Sequence, residues 1–135
     1  MNTKACKVLS LVLALVAIGA FVALPFCTSA ATSPVWAWGQ NYFGQLGYPS
    51  NPYMTEPTPV MGLTDIIYIS GGENHSAALK EDGTVWTWGG NNEGQLGDGT
   101  KKNRATPLQV DGLSDIVDIS CGSYYSLALK DDGTI

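Results

Sequence analysis

Trp36-Ala37-Trp38-Gly39, followed by Gly44-Gln45-Leu46-Gly47, returns fifty residues later as Trp86-Thr87-Trp88-Gly89 and Gly94-Gln95-Leu96-Gly97. Laid over each other without a gap, residues 36–85 and 86–135 are identical at 24 of 50 positions. Self-similarity at a period of roughly 40–50 residues, filled with short β-rich runs and glycine turns, is the pattern of β-propeller blades.

Around the tryptophans, four short strands recur in each period. Pro57 to Val60 matches Pro107 to Val110, and Ile66 to Ser70 matches Ile116 to Ser120. Ser76 to Lys80 matches Ser126 to Lys130, and Thr84 to Gly89 matches the stretch through Val35, Trp36 and Trp38. Alternation puts Val85, Thr87 and Gly89 on one face, and Trp86 and Trp88 on the other. Ile66 and Ile69 break the alternation, which implies a bulge or burial from both sides. Glu81-Asp82-Gly83 and Asp131-Asp132-Gly133 each follow a strand and read as tight turns, because Asp-Gly supplies a left-handed residue. No 3.6-residue stripe is sustained after residue 30. The expected fold is therefore all-β, with blades of four antiparallel strands.

The amino-terminal segment has another character. Lys4 and Lys7 precede an uncharged, largely apolar run from Val8 to Phe26, and Thr28-Ser29-Ala30 follows. This is the layout of a secretory signal, with 1–30 removed and 34–135 forming two repeats. Its alternative is an amino-terminal anchor, the one circumstance in which a membrane would be a partner. Bulky Phe26 before Cys27 argues against lipid attachment. Cys121 is the one cysteine outside that segment, so no internal disulfide is expected. The remainder carries five basic against twelve acidic side chains, a net −7. That balance excludes nucleic acid as the main partner. The chain ends at Ile135, one residue before the next expected tryptophan, so the final blade reads as truncated and the chain as a fragment. Assembly of several short chains into one ring is the alternative.

Catalytic, metal and cofactor sites are not expected. His75 is the single histidine, and the other repeat has Tyr125 in its place, with Ser123 in place of Glu73. A ring packing at a strand start accounts for both. Ser76 and Ser126 lack a histidine–carboxylate pair at readable spacing. Asp98, Asp111, Glu81 and Asp82 do not follow the spacing of a calcium loop, and one His with one Cys is too few for zinc. Gly71-Gly72 and Gly89-Gly90 open no helix, so they are not phosphate loops. Gln45-Leu46-Gly47 and Gln95-Leu96-Gly97 are expected to bridge blades, the leucine acting as a plug. The candidates for partner contact are the loop residues that do not repeat: Tyr42, Phe43, Tyr48 and Tyr53 in the first loop, and Asn92, Glu93, Asp98 and Asn103 in the second. Tyrosines on a loop face suit a protein partner, or secondarily a glycan.

Two longer runs carry a resemblance. Asp65-Ile-Ile-Tyr-Ile-Ser-Gly-Gly72, His75-Ser-Ala-Ala-Leu-Lys80 and Asp82-Gly83-Thr84-Val85-Trp86-Thr87-Trp88-Gly89 form one. Asp115-Ile-Val-Asp-Ile-Ser-Cys-Gly122, Tyr125-Ser-Leu-Ala-Leu-Lys130 and Asp132-Gly133-Thr134 form the other. Both closely resemble repeats of the regulator of chromosome condensation type, and the likeness spans residues 35–135. It implies a seven-bladed propeller, of which this chain holds about two blades. With its signal-like start and acidic remainder, the chain is expected to be an exported prokaryotic member of that family, secreted or held in the cell envelope. The expected role is a protein-binding or scaffold module rather than nucleotide exchange. The alternatives are a polymer-active enzyme whose catalytic residues lie elsewhere, or a structural envelope module.

Overall fold

The computed structural model describes residues 35–135, within a compact unit that spans Thr32–Ile135. The expected signal or anchor at 1–30 lies outside the described residues. Eight strands follow one another: β1 (Trp36–Gln40), β2 (Tyr53–Pro59), β3 (Ile66–Gly71), β4 (His75–Lys80), β5 (Val85–Gly89), β6 (Arg104–Gln109), β7 (Ile116–Cys121) and β8 (Ser126–Lys130). They form a four-stranded antiparallel sheet in the order β3-β4-β5-β6, flanked by the pairs β1-β2 and β7-β8.

The complete blade is out of step with the tryptophan-to-tryptophan period. Strand β6 turns back onto β5 through a long loop, with Trp86 opposite Gln109 and Thr87 opposite Leu108. The short link that follows passes to β7, which begins the next sheet. Asp115 in that link has φ +59°, and Asp65 repeats it at +57°. Left-handed geometry at a non-glycine residue is tolerated best by Asp and Asn, whose short side chains bond locally. Each link is tied down: the Asp65 carbonyl accepts from Glu81 N at 2.9 Å, and the Asp115 carbonyl from Asp131 N at 3.0 Å.

Local sequence explains the sheet. The broken alternation at Ile66 is a register shift between Ile66 and Tyr68, and β7 repeats it between Ile116 and Asp118. In the Glu81-Asp82-Gly83 turn, Gly83 has φ +79°. Asp82 Oδ1 accepts from the Thr84 amide at 3.0 Å and its hydroxyl at 2.6 Å. Those bonds, the hydroxyl first, hold the Asp82 carboxyl below its ordinary range.

Apolar side chains gather on both faces of the complete blade. Ala77, Leu79 and Val85 meet Val110, Ile116 and Ile119 on one side. Ala78 and Trp88 meet Val60 and Leu63 on the other. The opposed orientations expected for Val85 and Trp88 are therefore observed. Leu79 is wholly buried, and truncating such a leucine to alanine costs about 2–5 kcal/mol.

Candidate protein-contact surface

The blades have two unlike ends. Tight turns 81–84 and 131–134 lie at one. At the other lie the long loops 41–52 and 90–103, with the short connections 72–74 and 122–125. All the candidate contact residues except Tyr53, which opens β2, belong to these long loops.

Each long loop is built on a buried asparagine. Asn91 is fully buried; its Oδ1 accepts from Leu96 N at 3.0 Å. Its Nδ2 donates to Asp98 Oδ1 at 2.9 Å and to the Thr100 and Lys102 carbonyls at 3.1 Å. Asn41 repeats the device: Oδ1 accepts from Leu46 N at 2.9 Å, and Nδ2 donates to the Tyr48 and Asn51 carbonyls at 2.8 and 2.7 Å. A second support is the glutamine side chain, which accepts the Phe43 amide in one loop and the Glu93 amide in the other, both at 2.9 Å.

The Gly-Gln-Leu-Gly segment joins blades through its main chain. The Gln45 carbonyl accepts from Ser76 Oγ at 2.8 Å and Trp88 Nε1 at 2.9 Å, both in the complete blade. The Gln95 carbonyl accepts from Ser126 Oγ at 2.8 Å. Leu96 is buried and its carbonyl accepts from Thr87 Oγ1 at 2.8 Å.

The candidate contact residues divide by exposure. Tyr42 and Tyr53 stand exposed, their rings edge to face at 5.0 Å and their hydroxyls hydrogen-bonded to each other. The bond to Tyr42 is the main cause that raises the Tyr53 phenol above its ordinary value. Phe43 and Tyr48 are half-buried, while Asn92 and Glu93 are exposed. Asp98 and Asn103 are spent within their own loop. Asn103 Oδ1 accepts from Asn91 N at 2.8 Å. Asp98 bonds Asn91, both donors of Thr100, and Arg104, whose Nη2 lies 2.8 Å away. Burial alone would raise the Asp98 pKa, but these donors outweigh it and hold the carboxyl well below the ordinary range.

One juxtaposition had no signal in the sequence. His75 Nε2 lies 2.9 Å from Ser126 Oγ in the next sheet. The serine's one hydrogen is directed to the Gln95 carbonyl, so Nε2 carries the ring proton and Nδ1 is bare. Nδ1 is buried without a hydrogen-bond partner, and burial lowers the His75 pKa. The serine is thus not activated, and among the described residues no carboxylate orients the ring, as a nucleophilic triad requires. Gly72 makes the contact sterically feasible: a Cβ there would lie 2.3 Å from His75 Cε1. Among the described residues, no group of three or more His, Cys, Asp or Glu side chains could hold a metal ion.

The regulator of chromosome condensation (RCC1) repeat matches residues 34–79 and 82–129, and a second description of the same repeat matches 66–95. The chain belongs to the RCC1 repeat family. Protein RCC2 of Homo sapiens and the RCC2 homolog of Danio rerio are each 36% identical to it over 52 residues. That stretch is 37% of this chain and 10% of either relative. Human WBSCR16 superposes with a TM-score of 0.62 at 28% identity, covering 70% of this chain and 26% of its own. Prp20p from Saccharomyces cerevisiae, described with its binding to Gsp1p and histones, gives 0.63 at 25% identity, covering 73% and 27%. Yeast RCC1 (Prp20) bound to Kap60 gives 0.65 at 23% identity, covering 73% and 26%, a likeness of fold. This chain therefore spans about a tenth of the length of the curated relatives it matches and about a quarter of the solved chains.

These relatives correct two expectations. They are vertebrate and yeast proteins, and the yeast one is seen bound to Kap60. An exported prokaryotic member, secreted or held in the cell envelope, is therefore not what this chain is. That expectation rested on the basic and apolar pattern of 1–30 and on the acidic balance of the remainder, neither of which is part of the repeat signature that carries the family.

Proposed function

We propose that this chain is part of a larger RCC1-type propeller that binds partner proteins through its long-loop end and catalyses no reaction itself. The observation that carries the reading is the division of labour within the loops. Buried Asn41 and Asn91 fix the bases in the same way, while the outer residues differ and leave Tyr42 and Tyr53 exposed as a preformed aromatic pair. Rigid, amphipathic side chains of this kind bring large contact area at low entropic cost, which is the property of interface anchors. A protein partner is supported by the relatives: Prp20p is described with Gsp1p and histones, and yeast RCC1 with Kap60. The span of about a quarter of the solved relatives supports a closed ring completed by further repeats, seven blades in all.

Purified Gsp1p, Kap60 and core histones are the first probes, because they are the partners named for those relatives. We expect at least one to bind in a titration. The variants Tyr42→Ala and Tyr53→Ala then weaken that binding about tenfold, the factor associated with loss of ~1.4 kcal/mol at an anchor, without moving the unfolding midpoint. Unchanged affinity across the long-loop end would sink the reading.

A further inference from the structure

Four Asp-Gly pairs stand in the sequence: Asp82-Gly83, Asp98-Gly99, Asp111-Gly112 and Asp132-Gly133. Such a pair is chemically labile. The glycine amide nitrogen can attack the carbonyl of the aspartate side chain, because glycine has no Cβ to block the approach. The reacting carboxyl is the protonated acid, since a carboxylate is a poor electrophile. What the fold does to the carboxyl and to the amide therefore decides which pair reacts.

Three of the pairs continue as Asp-Gly-Thr, and all three are shielded. Asp82 Oδ1 accepts from the Thr84 amide and hydroxyl. Asp132 Oδ1 accepts from the Thr134 amide and hydroxyl at 2.9 and 2.7 Å. In both turns the glycine amide is engaged as well: Gly83 N donates to the Lys80 carbonyl and Gly133 N to the Lys130 carbonyl, each at 3.0 Å. The Asp98 side chain is 4% exposed and receives Asn91, Thr100 and Arg104. Burial alone would raise the Asp98 pKa, yet its donors prevail, and the threonine hydroxyls act first at Asp82 and Asp132. All three carboxyls are held below their ordinary range, in the unreactive ionised form.

Asp111-Gly112 lacks these shields. Leu113 follows it in place of threonine, and both residues are exposed. Among the described residues, neither the Asp111 carboxyl nor the Gly112 amide has a hydrogen-bond partner. Gly112 has φ +79°, and a Cβ there would meet nothing within 4 Å. A neighbouring complete blade does not cover such a turn. Met61-Gly62, its counterpart one repeat earlier, adjoins the complete blade, yet Met61 is 66% exposed and Gly62 faces open space.

We propose that Asp111-Gly112 is a modification site, where aspartate in the folded chain converts to isoaspartate. Gly112 N bonds to Cγ of the protonated Asp111 side chain, and the carboxyl hydroxyl leaves with the amide proton as water. Water then adds to the main-chain carbonyl of the resulting five-membered ring and breaks its bond to Gly112 N. The chain now runs through the Asp111 side chain and carries a free α-carboxylate, with no atom gained or lost overall. The added methylene enters a link held at both ends: Val110 N donates to the Val85 carbonyl at 2.9 Å, and Ile116 N to the Gly83 carbonyl at 3.2 Å. The site lies at the tight-turn end, opposite the loops assigned to partners, so a partner bound there leaves it accessible.

The test holds the 135-residue chain at physiological temperature in mildly acidic buffer and, in parallel, in concentrated urea. Peptide mapping with a protease that cuts before aspartate but not before isoaspartate locates the change. Methyl transfer from S-adenosylmethionine by an isoaspartyl methyltransferase counts the new α-carboxylates. In buffer, conversion at Asp111 is expected to be about tenfold faster than at each of the other three, the factor that hydrogen bonds to be broken first put on a barrier. In urea, the four pairs are expected to convert at comparable rates. Asp111→Met installs the residue of the equivalent turn. It is expected to abolish methyl acceptance in buffer while the circular dichroism spectrum stays unchanged. Conversion in buffer that is no faster at Asp111 than at Asp82, Asp98 or Asp132 overturns the proposal. So does an equal preference for Asp111 in urea, or methyl acceptance that survives Asp111→Met.

Discussion

Loops 41–52 and 91–103 occupy the same place in successive repeats and begin identically, yet they hold their shape by different chemistry. Both start from a buried asparagine whose side chain takes the amide of the leucine in the Gly-Gln-Leu-Gly segment. Beyond that point the first closes on its own main chain: Asn41 binds the Tyr48 and Asn51 carbonyls, and its amide donates to Pro52 O at 2.7 Å. The second makes the same kind of main-chain bonds, to the Thr100 and Lys102 carbonyls, and adds side chains, with Asp98 gathering Asn91, Thr100 and Arg104, and Asn103 receiving the Asn91 amide. An anchor that satisfies backbone groups at the base leaves the outer residues free to change, and that freedom is what a recognition surface needs.

The largest expected difference between the loops is at their first glycine. Gly44 and Gly94 both have left-handed φ, +81° and +84°, but only Gly44 is pressed against a neighbouring strand. A Gly44→Ala change adds overpacking against the Ala105 backbone to the left-handed cost, about 3 kcal/mol in all. Gly94→Ala bears the conformational cost alone, about 1 kcal/mol. Urea unfolding of the two variants measures the gap, and equal losses would mean that the packing around Gly44 is not what distinguishes the loops.

Next come the anchors. Leu96 is buried and Leu46 half-buried, so deleting the asparagine orphans a better-hidden amide in the second loop. Asn91→Ala is expected to cost about 2–3 kcal/mol and Asn41→Ala about 1–2 kcal/mol, the scale of an unsatisfied buried polar group. Chemical denaturation again reads the difference, and a costlier Asn41 would reverse the ranking.

Much of this arrangement was legible in the sequence, because the repeat marks the strands and the Asp-Gly turns mark their ends. The expected Ile66 to Ser70 is observed as Ile66–Gly71, and Ser126 to Lys130 is observed unchanged. The start of β6 at Arg104, inside what reads as loop, was hidden because Arg104 to Thr106 shows no apolar alternation. Which strand β6 joins was also not readable, since a fifty-residue period is the same wherever the blade is cut. The His75–Ser126 contact spans 51 residues and two sheets, so local pattern could not reveal it. Asp98 was expected among the partner-contact residues, and only the fold shows its side chain 4% exposed against Arg104. The expectation of an exported prokaryotic protein failed differently: it was drawn from features outside the repeat signature, and the relatives of the repeats are vertebrate and yeast proteins.

Acid should separate the loops. The pKa of Asp98 is lowered on folding from its ordinary 3.8, so its contribution is complete above that value and fades as pH falls below it. Arg104 is partly exposed and screened by solvent, so Asp98→Asn is expected to cost about 1 kcal/mol at neutral pH. Asp82 and Asp132 are lowered too, by Thr84 and Thr134, and they remain in the variant. The difference between Asp98→Asn and the unaltered chain therefore isolates the second loop. It should vanish as the solution is acidified through and below 3.8, and a difference independent of pH would assign the loss to shape rather than charge.

The smallest effect on stability is expected where the effect on recognition is greatest. Tyr42 and Tyr53 touch each other and otherwise face solvent. Replacing either by phenylalanine removes the hydroxyl pair but keeps the edge-to-face rings, so the unfolding midpoint should not move. Replacing either by alanine removes the apolar area a partner would cover, and should weaken binding far more than phenylalanine does. In the second loop the matching residues are Asn92 and Asn103, and Asn103 is committed to the Asn91 amide. Asn103→Ala should therefore lower stability while leaving partner affinity unchanged. If Tyr53→Ala instead lowered the midpoint and spared binding, the aromatic pair would be a staple of the first loop, and the two loops would differ only in how they hold themselves together.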